Sequence, residues 1–228
     1  MDLSSIESWV FDLDNTLYPP EEEIFDQIDK KMTSFISEHL KIDKNEAFNV
    51  QKDYFLEYGT TLAGLMHDKE NSLDPDEFLK FVHDIELKSL SSDPELRSAI
   101  LGLPGKKFIF TNGTTAHAKN VLKKLELENI FESIFDIRAA NYIPKPNLET
   151  YNLFIKSTNI NPHSSIMFED MGRNLPPAKS LGMTTVLINR NIPNNRNVLQ
   201  EKKYVDLWSQ NIDADYIIDD LVKFLNNK

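Results

Sequence analysis

The segment WVFDLDNTLY, at residues 9–18, contains the clearest indication of the fold. Three large apolar residues open it, a pattern typical of a buried strand. Two carboxylates, Asp12 and Asp14, follow the strand directly. Carboxylates this close repel each other unless a cation lies between them, so the pattern favours a divalent metal site at the end of a strand.

Other apolar runs predict further buried strands, at residues 107–110, 134–137, 165–168, 184–188 and 216–218. Helical stretches separate most of them, at roughly 114–126, 148–158, 174–181 and 219–226. Strands that alternate with helices indicate a parallel sheet covered on both faces. We therefore predict the α/β class, with a Rossmann-like parallel sheet flanked by helices.

The segment from 17 to 95 has a different pattern. Its apolar residues recur at helical spacing, as at Ile24, Ile28, Met32 and Ile36. Asp-Pro pairs at 74–75 and 93–94 are typical helix starts. Because such a length exceeds an ordinary crossover connection, we predict an inserted α-helical cap over residues 17–95. The Rossmann-like core then comprises residues 1–16 and 96–228.

The composition excludes several classes of function. The 228 residues include 25 Lys and Arg against 36 Asp and Glu, a net charge of −11. This charge disfavours nucleic-acid polymers and anionic membranes as partners. The absence of Cys excludes thiol nucleophiles and cysteine-based metal sites. With neither a signal peptide nor a long apolar run, we expect a cytoplasmic protein, whose oligomeric state stays open.

Ligands of open parallel sheets bind beyond the carboxyl ends of the strands, so the residues that follow each strand are the candidates. Thr111 and Asn112 follow the second strand, and their polar groups are suited to hold the oxygens of an anion. Glu169 and Asp170 form a second acidic pair after the fourth strand. Lys145 lies between two prolines, which stiffen its backbone.

Each of these features also has a purely structural interpretation. Asp-x-Asp recurs at 74–76 and 213–215, where a helix start and a solvated turn explain it. Thr111-Asn112 fits an ordinary turn, Lys145 fits a solvated lysine, and His117 is interpreted as a packing or capping residue. The combination nevertheless indicates Mg²⁺-dependent phosphoryl transfer, because all-oxygen ligands suit Mg²⁺ and the histidines lack metal-binding spacing.

At these residues the sequence resembles the haloacid-dehalogenase-like hydrolase superfamily. The family's four motifs correspond, in order, to Asp12–Thr16, Thr111-Asn112, Lys145 and Glu169-Asp170. The helical segment resembles the family's α-helical cap. Additional stretches resemble its pyrimidine 5′-nucleotidase branch, which dephosphorylates nucleoside monophosphates such as UMP and CMP; they lie at 11–19, 58–65, 81–84, 111–118 and 168–175.

The resemblance implies a role for each motif. Asp12 is the nucleophile that forms an aspartyl-phosphate, and Asp14 is the general acid and base. Thr111, Asn112 and Lys145 hold the phosphoryl oxygens.

The resemblance also implies Mg²⁺ as the cofactor. Its ligands are Asp12, the backbone carbonyl of Asp14, and Asp170. Glu169 either ligates the metal or orients a metal-bound water, and Asn174 supports that outer shell.

The cap is expected to supply substrate specificity. Tyr18 and Tyr58 are candidates for stacking on a base, and Thr60 and Thr61 for hydrogen bonds to its edge. The alternative for both tyrosines is a packing role in the cap.

Four other functions stay open at this point. Two are enzymes that share the motifs: a phosphatase acting on phosphoglycolate or a sugar phosphate, and a phosphomutase. The other two are a non-enzymatic phospho-ligand sensor and a protein-interaction module that uses the cap surface.

Overall fold

A computed structural model describes residues 3–69, 73–189 and 213–227 of the chain. Its sheet has six strands, all parallel, in the order β3-β2-β1-β4-β5-β6. The strands are β1 (Ser8–Phe11), β2 (Lys106–Phe110), β3 (Ser133–Phe135), β4 (Ser165–Glu169), β5 (Thr184–Ile188) and β6 (Tyr216–Ile218). Helices cover both faces, so the predicted α/β fold is confirmed.

The helices along the described chain include five before β2: α1 (Ile24–Leu40), α2 (Lys44–Tyr58), α3 (Thr61–His67), α4 (Pro75–Val82) and α5 (Pro94–Leu101). The later ones are α6 (Thr115–Lys124), α7 (Leu148–Thr158), α8 (Leu175–Ser180) and α9 (Leu221–Asn226). Asp74 and Asp93 accept backbone N–H bonds at the starts of α4 and α5, as their Asp-Pro pairs predict. α3 was not predicted; Thr60 caps its first turn.

Buried side chains form one cluster on each face of the sheet. Trp9, Phe11 and Phe168 pack on the side of α5, α6 and α9. Val10 and Met167, which point to the opposite face, pack with residues of α7 and α8. The alternation along β1 is what a strand buried on both faces requires.

A third cluster lies in the cap and is drawn from α1–α4, between Ile28 and Val82, joined by Ile137. Leu17, Tyr18, Ile24 and Leu90 instead pack with the sheet cluster around Trp9. The hydrophobic cluster of the cap is therefore narrower than the proposed 17–95 division, whose boundaries stay a prediction.

β1 lies at the centre of the sheet, between β2 and β4. Phe11 is in register with Ile109 on one side and Phe168 on the other. The residues that follow these three strands therefore emerge side by side at one edge of the sheet. This edge faces the cap.

Candidate active site

One cavity lies between the carboxyl edge of the sheet and the cap. Its floor contains most of the site residues predicted from the sequence, namely Asp12, Asp14, Thr111, Asn112, Lys145, Glu169, Asp170 and Asn174. Residues separated by more than 150 positions in the chain meet here because they end neighbouring parallel strands or follow them.

Lys145 forms the centre of the floor, and its side chain is 1% exposed. Its Nζ donates to Asp12 Oδ1 at 2.8 Å, to Glu169 Oε1 at 2.6 Å and to the backbone carbonyl of Phe110 at 2.8 Å. Burial alone would lower the pKa of Lys145, but Asp12 and Glu169 hold it above its usual value. The lysine is therefore a fixed, permanently charged cation.

The carboxylates around Lys145 carry more negative charge than it balances. Asp12, Glu169 and Asp170 each present an oxygen, and these oxygens lie within 4.8 Å of one another. Burial raises the pKa of Asp12 to about 7 against the pull of Lys145, and the Glu169 carboxylate adds to the rise. Burial and Glu169 likewise raise the pKa of Asp170 well above its usual value. An oxygen-rich cluster in this state is compatible with Mg²⁺.

Glu169 differs from the two aspartates because both of its oxygens are already used. Oε1 accepts from Lys145 and, at 2.7 Å, from the amide of Asn174, while Oε2 accepts from the backbone N–H of Met171 at 2.9 Å. This bonding favours the outer-shell alternative for Glu169. Asn174 has the supporting contact that the resemblance implied.

Asp14 is held by two residues to which the sequence assigned other roles. Its Oδ1 accepts from Tyr18 Oη at 2.6 Å and lies 2.8 Å from His117 Nε2. Burial alone would raise the pKa of Asp14, but His117 and Tyr18 outweigh it and hold the pKa below its usual value. The carboxylate is thus ionised at neutral pH and its orientation is fixed.

The structure places Tyr18 and His117 differently from the sequence interpretation. Tyr18 is 1% exposed, packs in the sheet cluster and does not line the cavity, which does not fit stacking on a base. His117 does more than pack or cap, because its ring contacts Asp14 across 103 residues of sequence. A histidine on the first turn of a helix that follows a motif strand was the available signal.

The Thr111–Thr114 loop is organised largely by its own hydrogen bonds. Thr111 Oγ1 accepts from the backbone of Gly113 at 2.9 Å. The amide of Asn112 binds the backbone of Lys145, accepting from its N–H at 2.8 Å and donating to its carbonyl at 3.3 Å. Asn112 therefore holds the backbone of Lys145 in place. This role is additional to the contact with phosphate that the sequence predicts.

The N-terminus of α6 already has an anion. Thr114 caps this helix, and Asp136 Oδ2 accepts from both the backbone N–H and the hydroxyl of Thr115 at 2.8 Å. A helix N-terminus attracts negative charge, and here a side chain of the protein supplies it. The Thr115 N–H and hydroxyl are therefore already occupied by a side chain of the protein.

The roof of the cavity is formed by the cap. Thr60 and Thr61 line it, but Thr60 Oγ1 caps α3 and Thr61 Oγ1 donates to the carbonyl of Gln51. Tyr58 does not line the cavity; its ring packs against Tyr54 and His67. Both threonines therefore line the cavity, but their hydroxyls already bond to the backbone, and Tyr58 lies outside the cavity lining.

Two histidines connect the roof to the floor. The ring of His83, at the end of α4, stacks on that of His117 with centroids 4.6 Å apart. Burial, followed by His117, lowers the pKa of His83 to about 3, so His83 is neutral at physiological pH. Through this stack the position of the cap bears on the residue that contacts Asp14.

Comparison with known proteins now assigns the family. The family model for haloacid dehalogenase-like hydrolases matches residues 7–182. The chain belongs to this family. Its membership confirms the superfamily resemblance and supports an enzyme that hydrolyses its substrate. No helix among the described residues has the length and apolar character needed to cross a membrane.

Several relatives of this haloacid dehalogenase-like hydrolase are known. It is 26% identical over 192 residues to phosphate metabolism protein 8 of Saccharomyces cerevisiae. The match covers 78% of this chain and 60% of that longer protein. It is also 26% identical over 194 residues to glyceraldehyde 3-phosphate phosphatase of Methanocaldococcus jannaschii, covering 80% and 85% of the two. A HAD phosphatase from Thermococcus onnurineus has the same fold, with a TM-score of 0.60 at 23% identity and 97% coverage of both chains.

Proposed function

We propose that this protein is a Mg²⁺-dependent phosphatase that hydrolyses small phosphate monoesters through an aspartyl-phosphate on Asp12. One observation carries the proposal: a buried lysine bridges Asp12 and Glu169 in a cavity that also contains Asp14 and Asp170. A nucleophile, an acid–base group and a fixed cation thereby converge on one point. This is the set that phosphoryl transfer requires.

In the proposed first step, an oxygen of Asp12 attacks phosphorus and the ester P–O bond breaks. Asp14 gives its proton to the departing alkoxide. The dianionic phosphate of the substrate favours protonation of Asp14 on binding, since a nearby like charge raises a carboxyl pKa. Tyr18 and His117 hold the Asp14 carboxylate in position for the transfer.

In the second step, Asp14 accepts a proton from water, whose oxygen attacks phosphorus and releases Asp12 and inorganic phosphate. The hydroxyl of Thr111 holds a phosphoryl oxygen in both steps, and the fixed positive charge of Lys145 attracts the phosphoryl group electrostatically. Asp12, Asp170 and the carbonyl of Asp14 would hold Mg²⁺, which would supply neutralisation of the charge on the phosphoryl group.

For the substrate, we propose a pyrimidine nucleoside 5′-monophosphate. The wall of the cavity beyond the catalytic floor is mainly apolar, with Phe25, Phe55 and Phe78 among its residues. Such a wall suits a flat, ring-shaped leaving group better than a short polyol. The second candidate, a triose phosphate, is favoured by the similarity to glyceraldehyde 3-phosphate phosphatase.

The test is a phosphate-release assay with Mg²⁺ on UMP, CMP, glyceraldehyde 3-phosphate, phosphoglycolate and ribose 5-phosphate. We expect hydrolysis, with kcat/KM for UMP or CMP at least about tenfold above that for the three smaller esters. Asp12→Asn is the control, because the amide keeps the size of Asp12 and lacks its nucleophilic oxygen. Equal rates for the wild type and Asp12→Asn would refute the mechanism; a preference for the triose phosphate would refute the nucleotide alone.

A further inference from the structure

A second charged group lies in the roof of the same cavity, and the chemistry described above does not use it. Asp29 of α1 and Lys52 of α2 form an ion pair whose members are 9% and 6% exposed. Both residues line the cavity, as does Gln51, which is 1% exposed. Burying an ion pair costs more desolvation energy than packing apolar residues of similar size, so a purely structural role explains it poorly.

The hydrogen bonds of this group are concentrated on one oxygen. Asp29 Oδ1 accepts from Lys52 Nζ and, at 2.7 Å, from the amide of Gln51. Gln51 is itself engaged, because its Oε1 accepts from the hydroxyl of Thr33. Within the described part of the chain, Asp29 Oδ2 receives no hydrogen bond, and Asp29 is the one acceptor to which Lys52 Nζ donates.

The pair therefore retains an acceptor on Asp29 and donors on Lys52, since an ammonium carries three N–H groups. Its net charge is zero, whereas in the floor the carboxyl groups outnumber the single lysine. A neutral leaving group that carries both a donor and an acceptor can bind both members of the pair. A carboxylate would bind Lys52 but would be repelled by Asp29. The complementary ligand carries an N–H donor and a carbonyl acceptor side by side.

We propose that Asp29 and Lys52 form the subsite for the leaving group and bind the polar edge of a planar cyclic amide such as the uracil ring. Asp29 Oδ2 accepts from the ring N–H, and Lys52 donates to the adjacent carbonyl. Phe25 and Phe55, which line the same cavity, contact the apolar ring body. The proposal rests on the proposed phosphatase function and names the residues that select its substrate.

The first test uses the wild-type protein and compares UMP with 3-methyluridine 5′-monophosphate, in which a methyl group replaces the hydrogen on the ring nitrogen. We expect kcat/KM to fall at least about tenfold on methylation, because Asp29 would be buried against a methyl group. Equal kcat/KM values for the two esters overturn the subsite. This comparison needs no variant, so it stands even if a substitution disturbs folding.

The second test is the double variant Asp29→Leu/Lys52→Met, which removes both charges together and leaves neither one buried without a partner. We expect the ratio of kcat/KM for UMP over ribose 5-phosphate to fall at least about tenfold. Lys31→Met is the matched control, because Lys31 forms a cap ion pair with the exposed Asp84 and does not line the cavity. Its ratio should stay at the wild-type value.

The outcomes separate the two proposals. A wild type that releases phosphate from no ester overturns the phosphatase function and the subsite with it. A wild type that hydrolyses esters, combined with an unchanged ratio in the double variant, overturns the subsite alone.

Discussion

Lys145 in the floor and Lys52 in the roof are both buried lysines paired with aspartate, yet their bonding differs. Lys145 uses all three donors, on Asp12, Glu169 and a backbone carbonyl. Lys52 has Asp29 as its acceptor in the described chain. A saturated lysine has a fixed position and charge, which suits a catalytic floor. An unsaturated one retains binding capacity, which suits recognition of a ligand.

Removing each cation in turn should affect the reaction in different ways. Lys145→Met should lower kcat for every ester by about 10³-fold, because it removes the fixed positive charge beside the phosphoryl group. It also leaves Asp12 and Glu169 without their counter-ion. Steady-state kinetics on UMP and ribose 5-phosphate would measure this effect.

The matched variant is Lys52→Met, whose effect should depend on the ester and be larger for UMP. If Lys145→Met retained more than a tenth of wild-type kcat, or if both variants affected both esters equally, the contrast between floor and roof would be wrong.

Acidic groups are in excess in the floor, whereas the ion pair of the roof is balanced. We therefore expect Mg²⁺ to bind in the floor. Mg²⁺ at 100-fold its Kd should stabilise the protein by about 2.7 kcal/mol. That corresponds to a rise in Tm of roughly 5–10 °C for a chain of this size. Asp170→Asn should abolish most of the shift in a thermal melt. Asp213→Asn is the control, since that acid is exposed and pairs with Lys179.

The same shift should grow between pH 5.5 and 8. The pKa of Asp12 rises from 3.8 to about 7 on folding, mainly through burial, so the folded state favours its protonated form. Stability from this group is present below pH 3.8 and is lost as the pH rises through about 7. Mg²⁺ would bind the ionised form and so compensate for that loss. A Tm shift that is larger at pH 5.5 would contradict the assignment.

The floor and the roof meet at the stacked rings of His117 and His83. His117→Ala should lower kcat by about tenfold with little change in KM, because Asp14 loses a contact that orients it. His117→Gln, which retains a donor, should restore part of the loss. His83→Ala should have a weaker effect of the same kind. His163→Ala is the control, because His163 precedes β4 at the opposite edge of the sheet. A change confined to KM would argue against a positioning role.

The floor was predictable because its information is local. Asp12, Thr111 and Glu169 each follow or end an apolar run that reads as a strand, and parallel strands bring their carboxyl ends together. Lys145 lies between prolines, in a loop close to the second and fourth motifs in space. What local patterns left out was the contact of His117 with Asp14, which depends on packing between an α6 side chain and the loop after β1.

The residues of the roof were less predictable, because they are set by which side of each cap helix faces the cavity. Asp29 lies on the same stripe as Phe25 and Met32, at helical spacing, and Gln51 continues the stripe from Ala47. Polar residues on an apolar stripe were the available signal. Tyr18 misled for the opposite reason: an aromatic residue beside a motif suggested a ligand, while its position after β1 placed it in the core.

The strand order has a consequence for how the chain is made. β1 is synthesised before the other five strands of the sheet. Its Trp9 nevertheless donates to the carbonyl of Pro104, 95 residues later, and β1 pairs on its other side with β4. The central strand can therefore pair only after both of its neighbours have been synthesised. The cap helices, which lie between β1 and β2 in the chain, have most of their packing partners close in sequence. We expect the cap half of the cavity, which contains the proposed subsite, to be assembled before the half that contains the proposed catalytic residues.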